Sequence, residues 1–196
     1  MGEYTKNIAE DTPHFMLRLA TEADLPALHA LIEASVRGLS TGDYTPAQMA
    51  GSIGSVLGVD TQLIRDLTYY VAETLDTKGN KIIAGSGGWS FRKTLCGADN
   101  APNRNPEPMD PKTDAAKIRA IFVHPDHARC GLGSLILARV EGAACEAGFQ
   151  QFEMGSTLTG YPLYLRKGYV EIKRSAIPLS NGEALPIVHM LKDLRK

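Results

Sequence analysis

The chain is poor in cysteine, with three in 196 residues. Cys96, Cys130 and Cys145 are odd in number and widely scattered, which argues against a disulfide scaffold and fits a reducing, cytoplasmic setting. No apolar run approaches the length of a membrane span, and the first residues lack the apolar core of a signal peptide, so no membrane partner is expected. An excess of one charge is missing too. The 21 Lys and Arg and 22 Asp and Glu leave a net charge of −1, which argues against nucleic-acid binding driven by bulk electrostatics. Metal-ligand spacing is equally thin. His124, His127 and Cys130 recur every third residue, but they straddle Pro125 in a loop with no fourth ligand nearby in sequence, so no metal is expected.

What is present is the composition of an ordinary globular chain, 43% hydrophobic and 22% charged, at a length that one domain accommodates. Residues 1–14 are polar and unpatterned and read as a flexible tail, leaving 15–196 as a single domain. Phe15 to Leu19 reads as a strand. Thr21-Glu-Ala-Asp24 is a capping-box start, after which Leu25, Leu28, Ile32 and Val36 recur at helical spacing. Thr45-Pro46 opens a second helix whose inner face would carry Met49, Ile53 and Val56 or Leu57, weakened by Gly51, Gly54 and Gly58. A short helical turn is expected near Thr61 to Asp66. Thr68–Thr74 and Lys81–Phe91 form a hairpin around Lys78-Gly79-Asn80. A stretch rich in Pro, Asn and Asp from Lys93 to Asp114 is long for a loop and suggests a flap or lid. Then follow a strand, a helix from about Gly133 to Ala147 capped by Gly148, a strand over Gln151–Thr157 and a short helix over Tyr161–Lys167 closed by Gly168. Two last strands, Tyr169–Ile177 and Leu185–Leu191, meet at Asn181-Gly182. The alternation predicts an α/β fold: a mixed sheet flanked by helices.

The most informative stretch joins the strand Ile118–Val123 to the helix beyond Gly133. A strand, a glycine loop and a helix start in succession aim unpaired backbone N–H groups and the positive end of a helix dipole at one point, as phosphate-binding sites do. Gly131 and Gly133 are expected to let the backbone close on the ligand. A Walker A loop would place Lys and Ser or Thr after its last glycine, but Ser134 and Leu135 stand there. A dinucleotide fingerprint would place a third glycine where Ile136 stands. Neither fits.

The loop Ala128-Arg129-Cys130-Gly131-Leu132-Gly133 instead resembles the acyl-CoA pyrophosphate loop of the GCN5-related N-acetyltransferases, with Ala128 where an Arg or Gln usually opens it. The element order over residues 15–191 is similar to that family's, and so is Tyr161-Pro-Leu-Tyr-Leu-Arg-Lys-Gly-Tyr169, a tyrosine-bearing helix closing on glycine and an aromatic residue. The resemblance implies a mostly antiparallel GNAT-like sheet and acetyl-CoA as co-substrate. It further implies transfer to the primary amine of a small-molecule or peptide acceptor by direct attack in a ternary complex, and a homodimer as the family's frequent state. Cofactor contacts would come from Ile121, Phe122 and Val123 through the strand backbone, from Ala128 to Gly133 with Ser134 through the loop, and from Thr157, where the family often has Asn. Tyr164 falls on the family's general acid, a phenol able to protonate the departing thiolate, while by spacing alone it reads as a core tyrosine. For the general base, Glu73, Glu153, Asp43 and His124 are the candidates, His124 weakly preferred; each also reads as a solvated polar residue. The glycines of Gly85-Ser-Gly-Gly read as a bulge or a close approach by ligand, and Trp89 after them reads equally as acceptor-pocket lining or core. A non-catalytic acyl-CoA-binding module is the rival reading, and a nucleotide-binding α/β domain a third.

Overall fold

A computed structural model describes residues 14–101 and 104–195. Residues 1–13, which make up nearly all of the expected tail, lie outside the described residues. Seven strands form one sheet in the order β1-β2-β3-β4-β5-β7-β6: β1 (Met16–Leu19), β2 (Tyr69–Leu75), β3 (Lys81–Ser90), β4 (Ala116–Val123), β5 (Gln151–Thr157), β6 (Val170–Pro178) and β7 (Ala184–Asp193). Every pairing is antiparallel except β4 with β5. The mixed, mostly antiparallel sheet expected from the sequence is therefore the sheet observed.

Helices cover both faces. On one face, α4 (Leu132–Glu146) buries Leu132, Ile136, Leu137 and Val140 against Tyr70, Ala84, Ile118 and Phe152. Gly85 and Gly87 of β3 permit this approach: a Cβ on Gly87 would stand 2.4 Å from Ile136 Cγ2, and one on Gly85 2.7 Å from Ile136 Cδ1. The glycine run is thus a seat for α4. Trp89, set among Phe91 and Phe149 edge-to-face, belongs to the core beneath the same face.

On the other face lie α1 (Leu25–Leu39), α2 (Pro46–Ser52) and α3 (Thr61–Arg65). The Thr21–Asp24 capping box forms as expected, around a short 3-10 turn over Glu22–Asp24 that leads into α1. Burial of Leu28, Ile32 and Val36 confirms the stripe read from the sequence. The second helix stops sooner than expected. Its capping box at Thr45 and Gln48 starts it, but the helix ends at Ser52 and Gly54 then takes φ +79, a conformation that turns the chain back. Met49 and Val56 still reach the core, though Val56 does so from a turn. Tyr44 ties this layer down: its hydroxyl donates to Pro186 O at 2.8 Å and accepts from Leu158 N at 2.8 Å. Burial pushes that phenol up to about 12.

The proline-rich stretch is fastened rather than free along much of its described length. Lys93 N–H donates to Glu107 O, Met109 N–H to Phe91 O, Ala98 N–H to Ser55 O and Asp99 N–H to Val59 O. It therefore forms a wall for the face carrying α2 and α3.

Candidate active site

β4 and β5 pair through only two residue pairs, Ala116 with Phe152 and Lys117 with Glu153, and then diverge. Past that point the backbone groups of each strand that face the other have lost their ladder partners, and a cleft opens between Ile118–Val123 and Met154–Thr157. A bulge sits at its root. Ser86 pairs with Phe122 and Gly88 with Arg119, which leaves Ala120 and Ile121 opposite Gly87 alone. Ala120 absorbs the extra residue at φ +53, a left-handed backbone that a non-glycine residue seldom adopts. Such an outlier re-aims the neighbouring N–H groups, here beside the cleft.

The glycine loop closes one end. Pro125–His127 form a 3-10 turn, and Ala128 N–H still bonds back to Pro125 O at 3.0 Å. The next N–H tied to the fold is that of Leu135, to Gly131 O at 3.0 Å. Among the described residues, no protein acceptor is found for the six N–H groups between, Arg129 to Ser134. Arg129 at φ +63 and Gly131 at φ +88 twist successive amides toward a common side, and the amino end of α4 adds its dipole. The two glycines earn their places differently from the expectation. A Cβ on Gly131 would meet nothing within 4 Å, so its positive φ is what requires glycine; one on Gly133 would meet Leu163 Cδ2 at 3.3 Å, so packing by α5 (Tyr161–Arg166) governs there. Cys130 is exposed, its thiol donating to His127 O at 2.8 Å.

Tyr164 projects from α5 into the cleft beside Gly133 and Leu163. Its ring is wedged: Tyr169 meets it edge-to-face at 5.8 Å, and a Cβ on Gly160 would stand 2.8 Å from its Cε2. Burial pushes the phenol above its ordinary range, so the hydroxyl is protonated at neutral pH. No protein partner is found for that hydroxyl among the described residues, unlike the hydroxyl of Tyr169, which donates to Glu141 at 2.8 Å. Thr157 also lines the cleft, but its Oγ1 already accepts from Gly160 N–H at 3.1 Å. Ile121, Phe122, Val123, Gly133, Thr157 and Tyr164 are therefore brought together around one opening.

The candidate bases are not. Glu73 is bound to Arg18 at 2.7 Å and shares a separate groove with His124, Asp24 and Lys81. Glu153 is ion-paired with Lys117, and Asp43 accepts from Thr159 Oγ1 at 2.8 Å. Among the described residues, neither a carboxylate nor an imidazole lines the cleft.

Three lining groups escaped the sequence reading: Arg119, Cys96 and the hydroxyl set Ser35, Ser40 and Ser156. Arg119 is almost wholly buried. Its Nη1 stands 2.7 Å from Asp60 Oδ2 without hydrogen-bond alignment, and its Nη2 donates to Gly97 O. Asp60, 1% exposed, also receives Arg104 Nη2 at 2.7 Å and caps α3 through Gln62 N–H. Cys96 Sγ lies where a Cβ on Gly155 would be 3.4 Å away, and burial pushes its thiol up. Nothing in local spacing links residues 60, 96, 104 and 119.

A sheet split at its one parallel junction, with a bulge on one lip and an amide-rich helix start at the end, defines the fold of acyl-CoA N-acyltransferases. Residues 110–194 match the family model described as an acetyltransferase (GNAT) domain. No curated protein matches the sequence significantly. Among solved structures, a GCN5-related N-acetyltransferase from Rhodopseudomonas palustris is similar at 19% identity and TM-score 0.64, over 93% of this chain and 96% of its own. PaiA N-acetyltransferase from Thermoplasma acidophilum, in complex with coenzyme A, is similar at 11% identity and TM-score 0.59, over 92% and 99%. YncA from Salmonella typhimurium, with acetyl-CoA, is similar at 16% identity and TM-score 0.59, over 93% and 95%. These likenesses establish the fold.

Proposed function

We propose that this chain transfers the acetyl group of acetyl-CoA to a primary amine. The observation that carries the reading is one opening lined by unpaired β4 backbone, by Gly133 at the end of a loop whose six N–H groups lack acceptors, and by the buried Tyr164, whose hydroxyl has no protein partner among the described residues. The fit to an acyl-CoA is chemical. The N–H groups of Arg129 to Ser134 suit a pyrophosphate, and the free edge of Ile121, Phe122 and Val123 suits an amide-rich arm added like a strand. Ala128 supplies no side-chain contact where the family usually has one, so the backbone carries that role. The co-substrate supplies an activated acyl carbon as a thioester.

The chain's own residues do the rest. The cleft holds amine and acyl carbon side by side, which replaces an improbable encounter by a fixed approach. Backbone N–H at the Ala120–Ile121 bulge polarises the carbonyl. As the N–C bond forms and the C–S bond breaks, Tyr164 gives its proton to the departing sulfur and the amine's proton leaves to water, since no side-chain base lines the cleft.

The test is thiol release from acetyl-CoA across an amine panel, with thermal midpoints measured alongside. Acetyl-CoA at 100 times its dissociation constant should add about 2.7 kcal/mol, a shift of several degrees. Tyr164→Phe should cut kcat by about 100-fold or more and leave acetyl-CoA affinity unchanged. Equal loss of rate and affinity refutes the acid role. A midpoint shift with no release by any amine favours a non-catalytic binding module instead.

A further inference from the structure

The acceptor side of the cleft has an uneven chemistry. Val36, Leu39, Val56, Leu57, Ile177 and Ile187 make it apolar, and Ser35, Ser40 and Ser156 add neutral hydroxyls. Among the described residues no acidic side chain lines it, so it offers no charged partner to an ammonium group or a polycation. Among the described residues its one charged group is Arg119, which also lines a neighbouring groove with Arg92 and Arg104.

That charge is not matched within the fold. Asp60 is a single carboxylate shared by two guanidinium groups, Arg119 and Arg104, all three drawn into the same part-buried cluster. Asp99, a further acid whose charge acts on Arg119, is exposed and accepts from Thr61 N–H at 3.0 Å. Of the five N–H groups of Arg119, one has a directed acceptor, Gly97 O, and one stands against Asp60 Oδ2 without alignment. The others have no protein acceptor among the described residues. A buried guanidinium with spare donors and a shared counter-ion attracts an anion strongly, and its fork matches a carboxylate. The desolvation that lowers the affinity of Arg119 for its own proton, joined by repulsion from Arg104, points the same way.

Resting on the acetyltransferase reading, we infer that the acceptor is an amine bearing a carboxylate on a compact apolar body, an amino acid in its chemistry, and that Arg119 receives the carboxylate. Arg119 stands one residue before the bulge, so the anchoring charge and the polarising N–H groups come from adjacent backbone.

The experiment compares kcat/KM for matched pairs on the unaltered chain: L-phenylalanine with phenethylamine, L-leucine with 3-methylbutylamine, and L-methionine with 3-methylthiopropylamine. The acid of at least one pair should exceed its amine by about 10- to 100-fold, as a charge-assisted bond to a buried group commands. Arg119→Lys, which keeps the charge and loses the fork, should lower that ratio several-fold, a change that a purely structural role would not produce. Release with the plain amines at rates equal to or above the acids overturns the inference and leaves the acetyltransferase reading intact. No release with either set while another amine of the panel is acetylated overturns the inference alone, and a midpoint shift by acetyl-CoA with no release by any amine overturns both. If Arg119→Lys does not fold, the paired comparison decides alone.

Discussion

Asp60→Asn isolates the electrostatic share of the buried cluster. Asparagine caps a helix about as well as aspartate, so the bond from Gln62 N–H at 3.2 Å should survive and the α3 start should not be lost. The volume is unchanged. What disappears is one negative charge, 1% exposed, facing Arg104 and Arg119 at 2.7 Å each. Breaking a buried ion pair by neutralising one partner costs about 3–5 kcal/mol, because the remaining charge is left without compensation. For a domain of this size each kcal/mol moves Tm by about 2–4 °C, so a fall of roughly 6–20 °C is expected by calorimetry at pH 7. Arg104→Gln added to the same chain should recover part of that fall, since it removes one of the two stranded cations. A single-variant fall under about 3 °C, or a double variant no better than the single one, would refute the view that charge rather than capping governs this site.

Two further outcomes follow from local geometry. Gly160→Ala puts a Cβ 2.8 Å from Tyr164 Cε2, and that ring is already held by Tyr169, so about 1–3 kcal/mol of overpacking is expected in urea unfolding, together with slower turnover; unchanged stability and rate would contradict the wedge. Asp24, hydrogen-bonded to Arg18 through both oxygens at 2.8 Å, has its carboxyl lowered to about 2 by that guanidinium. A depressed carboxyl stabilises the fold above its unfolded value and loses that contribution as pH falls from about 4 through about 2. After discounting for solvent screening, Asp24→Asn should cost about 1–2 kcal/mol at pH 7 and progressively less toward pH 2; a difference constant with pH would sink the assignment.

Elements governed by short-range chemistry were legible in the sequence. β5 spans Gln151–Thr157 as read, and Gly148 and Gly168 take φ +93 and +87 where helix closure was expected. The glycine loop and Tyr164 were legible because their spacing is local and resembles a family pattern. The bulge was legible on one strand only: the glycines of β3 were read as marking a bulge or a close approach, and the register shifts between Ser86 and Gly88, but Ala120 at φ +53 carries no turn residue to announce the residue that absorbs it. Arg119 was invisible for a different reason. Its partners Asp60, Gly97 and Arg104 arrive from three other segments, and only the folded wall of residues 93–109 assembles them. His124 was preferred as a base for ending the right strand, but the chain turns at Pro125 and sends it to the groove of Arg18 and Glu73.

The two-pair ladder between β4 and β5 gives the sheet an unusual interior. In most sheets the middle strands exchange their amide protons slowest and the rims fastest. Here the midline is itself a rim, two raw edges lying between well-paired halves, so deuterium should enter from the centre outward along Ile118–Val123. A molecule that bridges those edges acts as an eighth strand in all but covalent connection, and slowed exchange along this seam would mark its arrival.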